Sequence, residues 1–531
     1  MRIWRLIGPM IVAFAITLPW QTGAADAKTP DNVLVVAQDL RDLITLDPSF
    51  TYEPSGIEII NNLYDALVTV DPAEPANIVP GVAERWEVSS DGSQFTFFLR
   101  EGLKFQSGNP VTAADVVFSF RRIIEQHSFL TSFTDRLGWN KDNLDQAVRM
   151  IDPMTVRLTL FTKISPSLAL ANLGTVVSAV LDSKLVLEHQ KDGDVGQEWL
   201  KTHSAGSGPF SLVSYTPSEG IVLQAYPGYR KGAPAMERIV IRHIPEPSAQ
   251  RLLLESGDVD VARDLSRDQL DAMRQSGKAN VQIDPKLELI YLDSNAENPM
   301  LAHPMVREAL RYLIDYQGIS ENLLRGEVRI SQTFWPYGKT VLPNIYKLDV
   351  ERARTLLKAA GYGDGFKIKM DIINTTPWTL IAQSIQKTMA EANIEVEITE
   401  SEKKAVFGKR RARDYDLMLI SWTGDYMDPE TFSTFFWSPD NRLEAKLTTQ
   451  VAWRARWSIP DLSILAELAR AEIDPDKRDR MYESIQYTLQ QKSPFVFMFF
   501  KNQLSGVAGN VNGFKPLPSW GGLDYFGVQK Q

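Results

Sequence analysis

The chain has 531 residues, a formal net charge of −9 and 44% hydrophobic residues, enough apolar content to bury several cores, and its length sets an expectation of about three domains. It contains no cysteine, which excludes structural disulfides, thiolate metal sites, a cysteine nucleophile and a lipid-modified amino-terminal cysteine. The acidic balance, with a pI near 5.4, argues against nucleic acid as a partner, because that binding rests on neutralising phosphates.

Residues 1–27 read as a secretory signal peptide: Arg2 and Arg5, an apolar run from Leu6 to Leu18 interrupted by Gly8, Pro9 and Thr17, then small residues through Ala27. The run is too short to span a hydrocarbon core of ~30 Å at about 1.5 Å per residue. The expectation is a cleaved, unanchored protein of a Gram-negative periplasm. Residues 33–36 then read as an apolar strand. The loop after it holds Leu46-Asp47-Pro48 and the small, open sequence Tyr52-Glu53-Pro54-Ser55-Gly56, which is expected to line a cleft, with Tyr52 and Ser55 as candidate contacts.

Residues 83–88 and 94–100 alternate apolar and polar around Ser90-Asp91-Gly92, predicting a hairpin with Trp86, Val88, Phe95, Phe97 and Leu99 on one buried face. Thr112 with Asp115 predicts a capped helix whose stripe is Val116, Val117, Phe120, Ile123 and Ile124. Residues 125–206 are less periodic, with a strand at 155–160 and a Gly/Ser-rich stretch at 201–209 that suits a crossing between lobes. Strands at 210–215, 220–225 and 238–244, a helix at 247–255 ended by Gly257 and a strand at 259–261 follow. Beyond 280 come a helix opening at Pro304, a helix at 350–360 stopped by Gly361, a strand at 366–373, a helix at 380–392 and a strand at 394–398, an α/β pattern. A helix at 477–490 and a strand at 495–500 are long enough to return to the first lobe.

Between these lies the stretch with the most recognition chemistry. A strand at 417–420 opens into a loop where Trp422 offers a rigid face, Gly424 allows close backbone approach and Asp425 presents a charge, a combination that suits an ammonium group. Asp428-Pro429 reads as a turn that caps a helix over 430–436. Catalytic constellations are missing: there is no Gly-x-Ser-x-Gly elbow, His-Glu-x-x-His, Walker loop or EF-hand loop. Gly361-Tyr362-Gly363-Asp364-Gly365 follows a helix instead of opening one, so it reads as a helix stop. The five histidines are scattered singly, Asp258 and Asp260 read as a turn cap, and the run 409–413 reads as a solvated face. No catalytic residue, metal ligand or cofactor is expected.

Several blocks carry a resemblance over essentially the whole mature chain. They are Val79-Pro80-Gly81-Val82-Ala83-Glu84-Arg85-Trp86, Thr96-Phe97-Phe98-Leu99-Arg100-Glu101-Gly102-Leu103-Lys104-Phe105, Val111-Thr112-Ala113-Ala114-Asp115-Val116, Gly208-Pro209-Phe210, Glu255-Ser256-Gly257-Asp258-Val259-Asp260, and Val306-Arg307-Glu308-Ala309-Leu310 with Asp315. In these the chain resembles the oligopeptide- and dipeptide-binding branch of the periplasmic solute-binding proteins that serve ABC importers, the peptide/nickel family 5. The resemblance implies an α/β, two-lobed periplasmic-binding-protein fold of type II with an inserted subdomain. The implied divisions are lobe I at 28–64, 207–278 and 490–531, the inserted subdomain at 65–206, and lobe II at 279–489. It implies that Asp425 pairs with a ligand ammonium, that Trp422 matches the family's tryptophan, and that Asn374 faces the cleft.

One departure matters. Dipeptide binders of the family resemble one another in an arginine near that Asn-containing strand end, and Asp371-Ile372-Ile373 offers none. Lys403, Lys404, Arg410, Arg411 and Arg413 are the nearby basic residues that stand as substitutes, and the departure points to a longer or non-standard ligand. The implied function is capture of a peptide or amine-bearing solute by a monomer and delivery to the membrane permease subunits of an importer with a cytoplasmic ATPase. The same scaffold with other cleft residues accepts opines, oligosaccharides or metal chelates. A secreted hydrolase is the alternative of another class.

Overall fold

The computed structural model describes residues 29–519 and 522–531, so the expected signal peptide lies outside the described residues. Its organising elements are two long antiparallel strands, Asn280–Ser294 and Phe495–Val507, which run side by side through the middle of an 11-stranded sheet. Their pairing has two parts. Residues 280–285 pair with 502–507 and residues 289–293 with 495–500, and the register shifts between Pro285 and Leu289. Proline lacks the N–H that a central ladder requires, so the break falls where the sequence cannot sustain pairing.

The break separates two cores. On one side Val33–Gln38 pairs in parallel with Arg238–His243 and with Val261–Ala262. On the other, Phe366–Ile373 pairs in parallel with Ile394–Ser401 and with the start of Leu417–Thr423, which lies antiparallel to Asn280–Ser294. Parallel strands buried on both faces read as continuous apolar runs, and Val33–Val36 and Leu417–Ile420 are such runs. The first core joins Leu34, Ile57, Phe95, Phe97, Val261 and Val507, while Leu289–Leu292 and Phe495–Phe500 pack in the second. The expected border at 490 therefore precedes a strand whose first half still packs in the second core.

A separate four-stranded antiparallel sheet, with Ala83–Val88 at its edge beside Gln94–Leu99, shares the first core. Phe95, Phe97 and Leu99 are buried as the alternation predicts, but Val88 is 37% exposed and Trp86 only half-buried. The outer strand has a neighbour on one side only, and its register slips between Ala83 and Arg85. The helix Ala113–Glu125 starts as expected: the Asp115 carboxylate accepts from both the N–H and the hydroxyl of Thr112 at 2.9 and 2.8 Å.

Two local expectations are corrected. Tyr52–Gly56 is not an open loop, because Pro54 opens a helix, Pro54–Leu63, with its fixed φ already helical. A Cβ at Gly56 would meet Thr51 Cγ2 at 2.5 Å, so glycine there serves packing. The run 409–413 is not a solvated face either. Arg410 is fully buried against the Tyr291 hydroxyl and Asp293, Arg413 donates to the Asn441 carbonyl at 2.9 Å while lying over Trp453, and Lys409 pairs with Asp371. A run of like charge is a poor guide when the helix it sits on, Lys403–Ala412, turns one residue in four inward.

Candidate ligand-binding cleft

The stretch after strand Leu417–Thr423 is shaped by its contact with the crossing strand. Gly424 donates its N–H to the Leu287 carbonyl at 2.8 Å, and a Cβ at Gly424 would meet Leu287 Cδ2 at 2.5 Å and Thr431 Cγ2 at 2.9 Å. The close approach that glycine permits here is to Leu287. Asp425 then turns, its N–H donating to Thr431 Oγ1 at 2.8 Å. Three residues on, Asp428 accepts from the Glu430 N–H at 2.9 Å and caps the 3₁₀ turn Pro429–Phe435. The same carboxylate takes both Nη groups of Arg478 at 2.8 Å in a buried bidentate pair.

Asp425 is 16% exposed in its side chain, and the group facing it is Arg136 Nη1 at 3.6 Å. Burial pushes the Asp425 carboxyl above the usual carboxylate range; Arg136 opposes that shift and the neighbouring Glu430 adds to it. The half-exposed Tyr52 shares this environment, since burial and then the Asp425 charge push its hydroxyl up to about 12 while Arg136 pulls it down. Tyr426 leaves the second lobe and packs in the first core; the Arg136 guanidinium lies 5.4 Å from the ring centroids of both Phe133 and Tyr426. Arg470 completes the contact. It donates to the Arg136 carbonyl at 3.1 Å, and its own carbonyl accepts from the Ser165 N–H at 2.7 Å. The lobes therefore touch around Asp425.

The remaining expected residues fall at different depths. Trp422 packs edge-on to Phe435 with centroids 6.3 Å apart, and its indole N–H is buried without a hydrogen-bond partner among the described residues. Ser55 is buried in the first lobe, accepting from Gln38 Nε2 at 3.2 Å. Asn374 is exposed at its strand end, its N–H donating to the Ser401 carbonyl at 3.0 Å. Sequence reasoning missed Arg136 and Arg470 because neither sits in a periodic or motif-like context. It also missed a charged group on the crossing strands, Lys286, Glu288 and Lys501, whose alternation merely reads as solvent-facing strand.

Residues 77–444 match the bacterial extracellular solute-binding proteins, family 5 (middle region). The chain belongs to that family. The probable D,D-dipeptide-binding periplasmic protein DdpA of Escherichia coli K12 is 28% identical over 513 residues, covering 94% of each chain. The dipeptide-binding protein of the same organism is 26% identical over 485 residues, covering 87% of this chain and 88% of that one. The structure of HbpA2 from Haemophilus parasuis superposes with a TM-score of 0.79 at 22% identity, covering 94% of this chain and all of that one, so the two-lobed fold is shared. In this family 5 protein the contact around Asp425 is where the lobes meet, and no described helix is long and apolar enough to cross a membrane.

Proposed function

We propose that this protein is the periplasmic substrate-binding component of an ABC importer, capturing a peptide or related amine-bearing solute between its lobes and delivering it to membrane permease subunits coupled to a cytoplasmic ATPase. The observation that carries this reading is Asp425, a desolvated carboxylate on a strand end that a cation 3.6 Å away already helps keep ionised. Arg136 stands at 3.6 Å, beyond hydrogen-bond range, and a solute ammonium entering the cleft supplies a closer positive partner. Relatives named for dipeptide binding, matched over most of the chain, support it. Trp422 offers an aromatic face, Tyr52 a hydroxyl beside Asp425, and the solute is released unmodified by a monomer.

The crossing strands are the natural hinges, with 206–210 as a third. The proposed lobe divisions follow the family pattern, with the passage between lobes placed inside 280–294 and 495–507 instead of at their ends. Two measurements test the reading. Native mass spectrometry of the protein purified from the periplasm is expected to show one solute per chain, of a mass that names its class. Small-angle scattering is expected to show a smaller radius of gyration with that solute than after its removal. Catalytic conversion of the solute by pure protein would instead favour a hydrolase.

A further inference from the structure

Arg470 joins the two lobes through backbone groups that helices leave without partners. It stands in the last turn of Pro460–Ala471, where carbonyls have no intrahelical donor, and its carbonyl takes the Ser165 N–H at 2.7 Å. Ser165 is the N-cap of Pro166–Leu173 in the first lobe, and the residue three on, Leu168, has no carboxylate to accept that N–H as a capping box would. In the other direction Arg470 Nη2 donates to the Arg136 carbonyl at 3.1 Å, at the end of the short helix Thr131–Arg136. The two bonds run in opposite senses across one boundary, so parting the lobes there breaks both together and returns these backbone groups to water.

On its own side Arg470 is tied to the stretch that carries Asp425. Its Nε lies 3.6 Å from Glu430 Oε1, and the other oxygen of that carboxylate accepts from the Tyr426 hydroxyl. The preceding carbonyl, that of Ala469, accepts from Arg478 Nε at 3.2 Å, and Arg478 is the bidentate partner of Asp428. The end of the helix and residues 425–430 are therefore fastened to each other. Apolar contacts flank the bonds: the Tyr426 ring meets Phe133 edge-on with centroids 6.5 Å apart, and Ile473 stands beside Gly92, where an added Cβ would be 3.9 Å from its Cδ1. Asp425 and Tyr426 line a cavity of about 90 Å³ with Tyr64, Asp65 and Asp524, and Ser165, Arg470 and Ile473 are outside that lining.

We propose that Arg470 is the latch of the closed cleft, a positioning residue that clamps the first lobe to the second with its main chain and its side chain at once and couples the placing of residues 425–430 to closure. Filling of the cavity beside Asp425 and closing of the latch favour each other, because both order the same residues and both select the same arrangement of the lobes. The coupling rests on the capture of a solute between the lobes proposed above. The bonds of the latch involve protein groups alone, so its effect on closure is measurable with no solute bound.

The chain has no cysteine, so Asp142→Cys in the first lobe and Asp461→Cys in the second, both at exposed positions, take a pair of spin labels and nothing else does. Double electron–electron resonance then gives the closed-to-open ratio of the full mature chain, stripped by unfolding and refolding and afterwards mixed with graded tryptic casein hydrolysate. Arg470→Met removes the side-chain bond and Ser165→Pro the main-chain bond; proline fits because Ser165 already has φ −65° and ψ 149°. Ser165→Ala is the control, since it loses the hydroxyl that accepts from the Leu168 N–H at 3.2 Å but keeps its own N–H. Arg470→Met and Ser165→Pro are each expected to lower the ratio of the stripped chain by about 3- to 20-fold, the loss of one hydrogen bond, and to raise the half-saturating hydrolysate concentration. Ser165→Ala is expected to stay near the wild type and Arg470→Lys to recover part of the loss. Unchanged ratios in Arg470→Met and Ser165→Pro would overturn the latch, and so would equal losses in Ser165→Ala and Ser165→Pro, which would trace the effect to the helix cap. Ratios that shift as expected in chains that capture nothing from the hydrolysate would uphold the latch and overturn the peptide reading alone.

Discussion

The pairing of Asp425 with Arg136 allows recognition to be separated from structure by a double-mutant cycle. At 3.6 Å and an effective dielectric of ~20, the raw attraction is about 4–5 kcal/mol. Side-chain exposures of 28% for Arg136 and 16% for Asp425 mean that solvent screens part of it, leaving about 1–2 kcal/mol of coupling in the folded protein. Asp425→Asn is therefore expected to lower the stability of the solute-free chain, because it leaves Arg136 desolvated without this partner. Arg136→Gln is expected to do the same through Asp425, and the double variant to recover most of the loss. Binding is expected to behave differently. Removing the carboxylate that meets a desolvated ammonium typically costs about 2–5 kcal/mol, which moves a solute held near 1 μM to between tens of micromolar and several millimolar. Denaturant titration of the four proteins gives the first cycle and calorimetric titration with the co-purified solute gives the second. Recovery of binding in the double variant, in parallel with stability, would refute the reasoning, because it would mean that Asp425 serves Arg136 and not the solute.

Other consequences follow from the same geometry. Asp428→Asn keeps an N-cap acceptor but leaves buried Arg478 without its carboxylate, so it is expected to cost about 3–5 kcal/mol, well above the ~1 kcal/mol of a lost cap, with affinity unchanged where folding is complete. Denaturant midpoints and calorimetry on the same sample check both halves. Gly424→Ala is expected to cost about 1–3 kcal/mol by overpacking against Leu287 and Thr431, and scattering should show whether it also alters closure. Glu288 has a folded-state value depressed from 4.5 to about 2, so its contribution, about 3 kcal/mol, is present above pH 4.5 and is lost as pH falls toward 2. Stability measured between pH 2 and 6 is expected to fall less steeply in Glu288→Gln than in the wild type.

The sequence by itself determined many of the elements and their caps, because the signals are local. The capping pair Thr112 and Asp115, the glycines that end helices at 257 and 361 with φ of 81° and 86°, and the strand Phe366–Ile373 all follow from residues within one or two turns of each other. It also placed Asp425 in the loop after the strand Leu417–Thr423, since a strand end with glycine and a carboxylate is written in consecutive residues. What faces Asp425 was decided only by the tertiary structure. Arg136 lies 289 positions earlier in an aperiodic stretch, and no local pattern distinguishes it from any other arginine of the chain. Pro54 reads as a break in sequence and is the first residue of a helix in space, because the restriction on φ serves either role. Arg410 and Arg413 read as solvated and are buried, because their acceptors, Asp293 and Asn441, lie far along the chain. The passage between lobes is the clearest case: a change of composition near 280 marks the region, but the break falls at Pro285, where the ladder with the returning strand fails, and that strand arrives more than two hundred residues later. Local chemistry sets which elements form, and long-range burial and ladder pairing select which charges meet in the cleft.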